Sequence, residues 1–341
     1  MHEERIITFV KGLGGKPCLL EEINDLYYFS GLRLSCGTLL LGKQRSVLFV
    51  DSRYFEKAKL QKSIEVLPKE DQKDHLEKFP SILFDSAKTT VDVLQERQTS
   101  FPNILWEGKP QLTKKQRAIK DKAEQEKMRA AAELAKKGFN FACEGIQEGV
   151  TEKEIAWRFE KYCREHGAEK MSFDLIVAFG DNSAFPHHRA SDRKYRGGDT
   201  VLIDAGCVMQ GYASDMTRTM IGKEPEMQRL QKVVNLAQEA ALKKCKAGVS
   251  LKEIDLAARE VMRKDDLEQF FTHGLGHGIG LETHEYPRLS HKGADADVVL
   301  EEGMAVTIEP GLYLPGIGGV RREDTVIITR NGIDNFYGDL P

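Results

Sequence analysis

The sequence lacks any run approaching the roughly 18 consecutive apolar residues that cross a bilayer. It has no Cys-x-x-Cys pair and no excess of one charge. The first absence argues against a membrane span. The second, with only six scattered cysteines (Cys18, Cys36, Cys143, Cys163, Cys207 and Cys245), argues against zinc fingers and disulfide scaffolds. Reduced, mostly buried thiols in a cytoplasmic protein are expected. The third absence, 50 Lys and Arg against 53 Asp and Glu for a net charge of −3, argues against a constitutive nucleic-acid binder. The charged start Met1-His2-Glu3-Glu4-Arg5 does not read as a secretory signal.

What is present is an ordinary globular mixture, 40% hydrophobic and 30% charged over 341 residues. That length favours two domains, or one large one. The first part alternates strand-like and helix-like pieces. Gly37 to Leu41, Ser46 to Asp51, Ile82 to Asp85 and Asn103 to Trp106 read as strands, and Arg53 to Leu60 as a helix. This predicts a small α/β domain over 1–115. A Gly- and Pro-poor stretch, Lys114 to Phe141, then predicts a long helix or helix pair opening a second domain over 116–341. Thr151-x-x-Glu154 is a capping box for a helix through Glu165. Beyond residue 170, strands are predicted at Asp174 to Phe179, Thr200 to Gly206, Ala213 to Ile221, Ala305 to Ile308 and Thr325 to Thr329. Helices are predicted near Glu226 to Lys246 and Leu251 to Lys264. The second domain therefore reads as α+β with hairpin-linked strands.

Candidate chemistry gathers in that second domain. Six of the nine histidines lie there between His187 and His291, namely His187, His188, His273, His277, His284 and His291. Asp204 ends the apolar run Val201-Leu202-Ile203, where an uncompensated carboxylate is costly. Asp215 follows in Ser214-Asp215-Met216-Thr217-Arg218. A hairpin turning at Met209-Gln210 sets Asp204 directly across from Asp215; a turn at Gln210-Gly211 makes them diagonal neighbours. Neither arrangement offers an obvious cation, although Arg218 is near enough in sequence to pair with Asp215. A second hairpin around the Gly/Pro-rich Leu314 to Gly319 brings Glu309 and Glu323 onto adjoining strands.

The tract Thr272-His273-Gly274-Leu275-Gly276-His277-Gly278-Ile279-Gly280 allows close backbone approach but fits no nucleotide-binding loop. His284-Glu285 is not a zincin site, because Arg288 occupies the place of the second histidine. Four carboxylates balance the +4 of two divalent cations, and a neutral imidazole adds no charge. Without metal, each close acid pair would repel by about 4 kcal/mol at an effective dielectric of 20. Oxygen-rich ligands with one imidazole suit Mn²⁺, Co²⁺, Fe²⁺ or Zn²⁺.

Five motifs in order resemble the pita-bread metallopeptidases, which include Xaa-Pro aminopeptidase (aminopeptidase P), prolidase, methionine aminopeptidase and creatinase. They are Ala184-Phe185-Pro186-His187, Asp204-Ala205-Gly206 with Ser214 to Arg218, His273 through Glu285, Ile308-Glu309-Pro310-Gly311, and Arg321-Arg322-Glu323-Asp324. Thr283 departs from the family's usual aliphatic residue. The N-terminal stretches Asn24 to Gly31 and Phe49 to Tyr54 resemble the proline-specific members.

The resemblance implies a creatinase-like N-terminal domain followed by a pita-bread catalytic domain. It implies two divalent metal ions, manganese first, held by Asp204, Asp215, His277, Glu309 and Glu323, with Asp215 and Glu323 bridging. It implies a metal-activated water as nucleophile, Glu309 as proton carrier, and His187 and His284 as donors to the scissile carbonyl. His273 and Arg321 would either support the metal ligands from behind or line the substrate pocket, while His188 and His291 match no functional position. Proline-containing peptides are the implied partners, and a homodimer the implied assembly. The expectation is an Xaa-Pro aminopeptidase, with prolidase as the alternative and a non-catalytic pita-bread binding protein as a more distant one.

Overall fold

The computed structural model describes residues 2–340 and divides into two compact units, Met1–Gln116 and Arg117–Pro341. The first unit is built on a six-stranded mixed sheet. In chain order its elements are α1 (His2–Gly12), β1 (Cys18–Leu20), α2 (Ile23–Ser30), β2 (Thr38–Leu41), β3 (Val47–Val50), α3 (Ser52–Ala58), β4 (Glu65–Pro68), α4 (Gln72–Leu76), β5 (Ser81–Asp85), α5 (Val91–Ser100) and β6 (Leu105–Lys109). The sheet order is β4-β3-β2-β1-β5-β6. The strands β1, β2 and β3 are buried along their whole length. Continuous apolar runs such as Val47-Leu48-Phe49-Val50 are what a sheet covered on both faces requires.

Between residues 114 and 143 the chain forms two helices, α6 (Lys114–Ala118) and α7 (Lys122–Cys143), where one long helix or a pair was expected. The break has a local cause. Asp121 caps α7 by accepting from the Glu124 amide at 2.9 Å, and Glu124 returns a bond to the Asp121 amide at 2.9 Å. Such a capping box fixes a helix start. The expected box at Thr151 and Glu154 is likewise present and starts α8 (Glu152–Glu165).

The second unit continues with β7 (Lys170–Met171), β8 (Ile176–Phe179), β9 (Val201–Ala205), β10 (Cys207–Met209), β11 (Tyr212–Ala213) and β12 (Met216–Met220). Then come the packed helix pair α9 (Pro225–Lys244) and α10 (Leu251–Lys264), followed by β13 (Gly276–Gly278), β14 (Glu285–Leu289), β15 (Ala305–Ile308), β16 (Gly311–Leu314), β17 (Gly318–Arg321), β18 (Asp324–Ile328) and β19 (Ile333–Asn335). Two antiparallel sheets matter most here, β12-β9-β8 and β14-β13-β15-β18-β19. One face of the second carries the unit's main core. There Val306, Ile308, Val326 and Ile328 pack with Val234, Ala237, Ile254 and Met262 of α9 and α10. No helix among the described residues is long and apolar enough to cross a membrane.

The strand expected over Ala213 to Ile221 is interrupted. Ser214 Oγ accepts from the Cys207 amide at 3.0 Å and donates to the Cys207 carbonyl at 3.0 Å. The ladder opens there, and Asp215 sits in the gap before β12.

Candidate active site

The first acid pair is set by a two-residue turn. Gln210 (φ 50°) and Gly211 (φ 84°) both have positive φ, the requirement of a type I′ hairpin. Met209 therefore pairs with Tyr212, and Asp204 pairs with Thr217, not with Asp215. The directly facing register is corrected: Asp215 is a diagonal neighbour of Asp204.

The second pair lies in one continuous hairpin register. Ile308 faces Asp324 in the β15/β18 ladder, and Gly311 faces Arg321 in the β16/β17 ladder. Glu309 and Glu323 occupy the gap between those ladders, at mutually facing positions. A single bridge joins the two hairpins: Thr217 pairs with Glu323, whose amide donates to the Thr217 carbonyl at 3.1 Å. Thr217 Oγ1 donates to Glu323 Oε2 at 2.7 Å, and Thr325 Oγ1 donates to the Asp215 carbonyl at 2.9 Å.

His277 arrives from β13, which lies between β14 and β15. Its neighbour Gly276 is required by close packing, since a Cβ there would stand 2.0 Å from the Thr307 carbonyl oxygen. Nδ1 of His277 donates to the Gly278 carbonyl at 3.0 Å. That assignment leaves Nε2 with a free lone pair, 3.4 Å from Glu309 Oε1 and 3.7 Å from Asp215 Oδ2. Asp215, His277 and Glu323 each offer a ligand atom, all within 4.8 Å of one another.

The electrostatics follow from this crowding. Burial, with Asp204 and Glu309 nearby, raises the Asp215 carboxyl well above its usual range. Burial, together with Asp215, Glu309 and Asp204, does the same to Glu323. Burial and Asp204 push Glu309 up to about 8, against the opposing pull of Arg321. Burial and the neighbouring His284 lower His277 to about 3, keeping it neutral.

A cation is in fact present. Arg321 donates through Nη2 to Asp204 Oδ2 at 2.5 Å, through Nε to Thr217 Oγ1 at 3.1 Å and through Nη1 to Tyr313 at 2.7 Å. Arg218 does not pair with Asp215; it donates to Asp324 at 2.8 Å and to the carbonyl of Glu323 at 2.7 Å.

One guanidinium does not balance four carboxylates. Asp204 Oδ1 and Glu323 Oε1 are both buried without a hydrogen-bond partner among the described residues. Unpaired buried acceptors of this kind call for a ligand. Two orphaned oxygens, a neutral imidazole and a residual negative charge fit divalent cations.

The remaining sequence-predicted residues lie around this cluster. His273 is half-buried and lowered to about 3, first by desolvation and then by Arg321. It contacts Tyr313 at 2.9 Å through Nε2 and lies 3.9 Å from Glu309. His284 packs its ring 4.2 Å from that of His277. His187 is exposed and within electrostatic reach of His273 and His284. His188 and His291 turn away to Glu152 and Asp255.

Three residues escaped sequence reasoning. Tyr313 links His273 to Arg321, and Thr217 bonds Glu323. Thr307 Oγ1 accepts from the His277 amide at 3.1 Å. Thr217 stands inside the Ser214 to Arg218 motif without being singled out, and nothing local marks the other two, because each acts across a strand gap.

Known proteins resemble this chain over nearly its whole length. The description of metallopeptidase family M24 matches residues 126–330, and that of the creatinase/prolidase N-terminal domain matches residues 5–119. An Xaa-Pro dipeptidase from Pyrococcus furiosus is 38% identical over 96% of this chain and 95% of its own. The solved structure of an Xaa-Pro dipeptidase from Bacillus anthracis superimposes with a TM-score of 0.93 at 32% identity, covering 99% of this chain and 97% of that one. An X-Pro aminopeptidase from Thermotoga maritima superimposes with a TM-score of 0.90 at 34% identity, covering 100% and 98%. The expected order, a creatinase-like domain followed by a pita-bread catalytic domain, is the one these matches describe.

Proposed function

We propose that this chain, which belongs to metallopeptidase family M24, is an Xaa-Pro dipeptidase. Family membership makes it a peptide-bond hydrolase served by divalent metal. The choice of dipeptide is carried by the near-full-length likeness to proteins named Xaa-Pro dipeptidase. It replaces the sequence-based expectation of an aminopeptidase, since the relatives favour the alternative. The fold alone does not discriminate, because an X-Pro aminopeptidase superimposes almost as well.

A dipeptidase must recognise the substrate's free carboxylate, and Arg288 supports that reading. It pairs with His277 across β13 and β14, so the two side chains share a sheet face about 4.5–5.5 Å apart at Cβ. Its guanidinium has no acidic partner among the described residues and suits bidentate capture of a carboxylate.

Asp204, Asp215, His277, Glu309 and Glu323 would hold two divalent ions, manganese first among them. The bound ions supply Lewis-acid polarisation of water and of the scissile carbonyl. The chain's own residues do the rest. Glu309 takes a proton from the attacking water and passes it to the departing proline nitrogen. His187 and His284 donate hydrogen bonds to the carbonyl oxygen as it gains charge. Thr217 and Arg321 hold Glu323 and Asp204 in place.

The test is hydrolysis of Gly-Pro, Gly-Pro-amide and Arg-Pro-Pro in Mn²⁺ buffer. Gly-Pro should be cleaved and the other two resisted, and Arg288→Ala should erase the preference for Gly-Pro over its amide. Release of free arginine from Arg-Pro-Pro at a comparable rate would make the protein an aminopeptidase instead.

A further inference from the structure

Glu152, the first residue of α8, has no exposed surface. It does not belong to that helix's capping box, which Thr151 and Glu154 form. Its carboxylate is instead filled by five donors from residues 179–191. Oε1 accepts from the Phe179 amide and from Asn182 Nδ2, each at 2.8 Å. Oε2 accepts from His188 Nε2 at 2.8 Å, from the Ser191 amide at 2.9 Å and from Ser191 Oγ at 2.7 Å. Five donors saturate the roughly four lone-pair positions of an ionised carboxylate.

Asn182 and His188, held by the same carboxylate, bracket the short stretch that carries the exposed His187. The far side of this segment is tied to the active-site cluster. Arg321 Nη1 donates to the Pro186 carbonyl at 3.3 Å, and the Gly319 amide donates to Ser183 Oγ at 2.8 Å. Two adjacent histidines compete here for one position, and nothing in the dipeptide His187-His188 decides between them. Glu152 captures His188, and it is His187 that lies within electrostatic reach of His273 and His284.

We propose that Glu152 is a positioning residue for catalysis: by gripping Asn182, His188 and Ser191 it turns His187 toward the substrate carbonyl. The assignment rests on the role given to His187 above. Glu152 has no surface open to a substrate. Its effect passes through the geometry of the loop, where a displacement of about 1 Å costs on the order of 100-fold in rate.

The experiment is a double-mutant cycle on the Mn²⁺-loaded full chain, measuring kcat and KM for Gly-Pro with wild type, Glu152→Gln, His187→Ala and the double variant. Glu152→Gln should lower kcat by roughly 10- to 100-fold, with metal content unchanged. In the His187→Ala background it should cost less than about twofold more, because nothing remains to be aimed. An equal loss in both backgrounds, or no loss in the wild-type background, overturns the positioning role while leaving His187 in the mechanism. Wild-type kcat in His187→Ala alone overturns the role of His187 itself, and the positioning role with it. Should Glu152→Gln fail to fold, His188→Leu and His188→Gln replace it. The leucine should lose kcat and the glutamine, which keeps a donor, should regain it; equal, wild-type rates in both would refute the proposal.

Discussion

Stripping the metal should make the protein less stable as pH rises from 6.5 to 8, the reverse of ordinary acid denaturation. The cause is the set of raised carboxyls. Glu309 is held near 8 in the folded, metal-free site, against roughly 4.3 for a glutamate in an unfolded chain. Between those values the folded state binds more protons than the unfolded state, so stability falls with pH. His273 and His277 act in the opposite sense. Their folded values lie near 3, so they contribute stability above an unfolded value near 6.5 and lose it as pH falls below that.

The two effects oppose each other below pH 6.5; above it the histidines add only about 0.4 kcal/mol each and the carboxyls dominate. From 6.5 to 8, Glu309 alone should cost about 2 kcal/mol. Asp215 and Glu323, shifted in the same direction, add to that. For a unit of this size each kcal/mol lowers the melting temperature by about 2–4 °C. Urea unfolding and calorimetry of chelated protein at the two pH values measure the effect. Manganese-loaded protein should be flat over the same window, its carboxylates being already ionised by the metal. Chelated protein as stable at pH 8 as at 6.5, with metal loss verified, would refute the reasoning.

Three further outcomes test the site. Asp215→Ala and Glu323→Ala should each reduce bound metal and abolish Gly-Pro hydrolysis; elemental analysis showing full occupancy with retained activity contradicts their ligand roles. Thr217→Val keeps the shape of a fully buried side chain but deletes its bond to Glu323 and its acceptor for Arg321. It should cost about 2–4 kcal/mol of stability and on the order of 10- to 100-fold in metal affinity; unchanged affinity by titration calorimetry excludes that role. Gly276→Ala drives a methyl against the Thr307 carbonyl and should displace β13 with His277, losing about 3 kcal/mol together with metal. Wild-type unfolding and metal content would show that the strands have room to part.

Most helices were legible because their signals are local. The Thr151 box starts α8 where its spacing says, and α10 runs from Leu251 to Lys264 as its periodicity requires. The break before α7 was equally local, an Asp121-x-x-Glu124 box of the same kind. The strand interruption at Ser214 was not legible, because a side chain bonding across to Cys207 leaves no periodic trace. Nor was the hairpin register, where Gln210 carries a positive φ that glycine adopts more readily. Arg321 read as a residue either behind the metal ligands or in the pocket, and only the folded chain shows its donors taken up by Asp204, Thr217, Tyr313 and Pro186.

Chain chemistry by itself determined which groups exist to be gathered: acids ending apolar strands, glycines around His277, and a histidine-rich second domain. These are properties of near neighbours, and near neighbours are what a linear pattern records. Folding alone decided how the two hairpins meet, through one bridge from Thr217 to Glu323. It also supplied the partner, Glu152, that holds His188 away from the site. Residues separated by about a hundred positions are joined there by hydrogen bonds and shared burial, and those distances come into being only once the strands have packed.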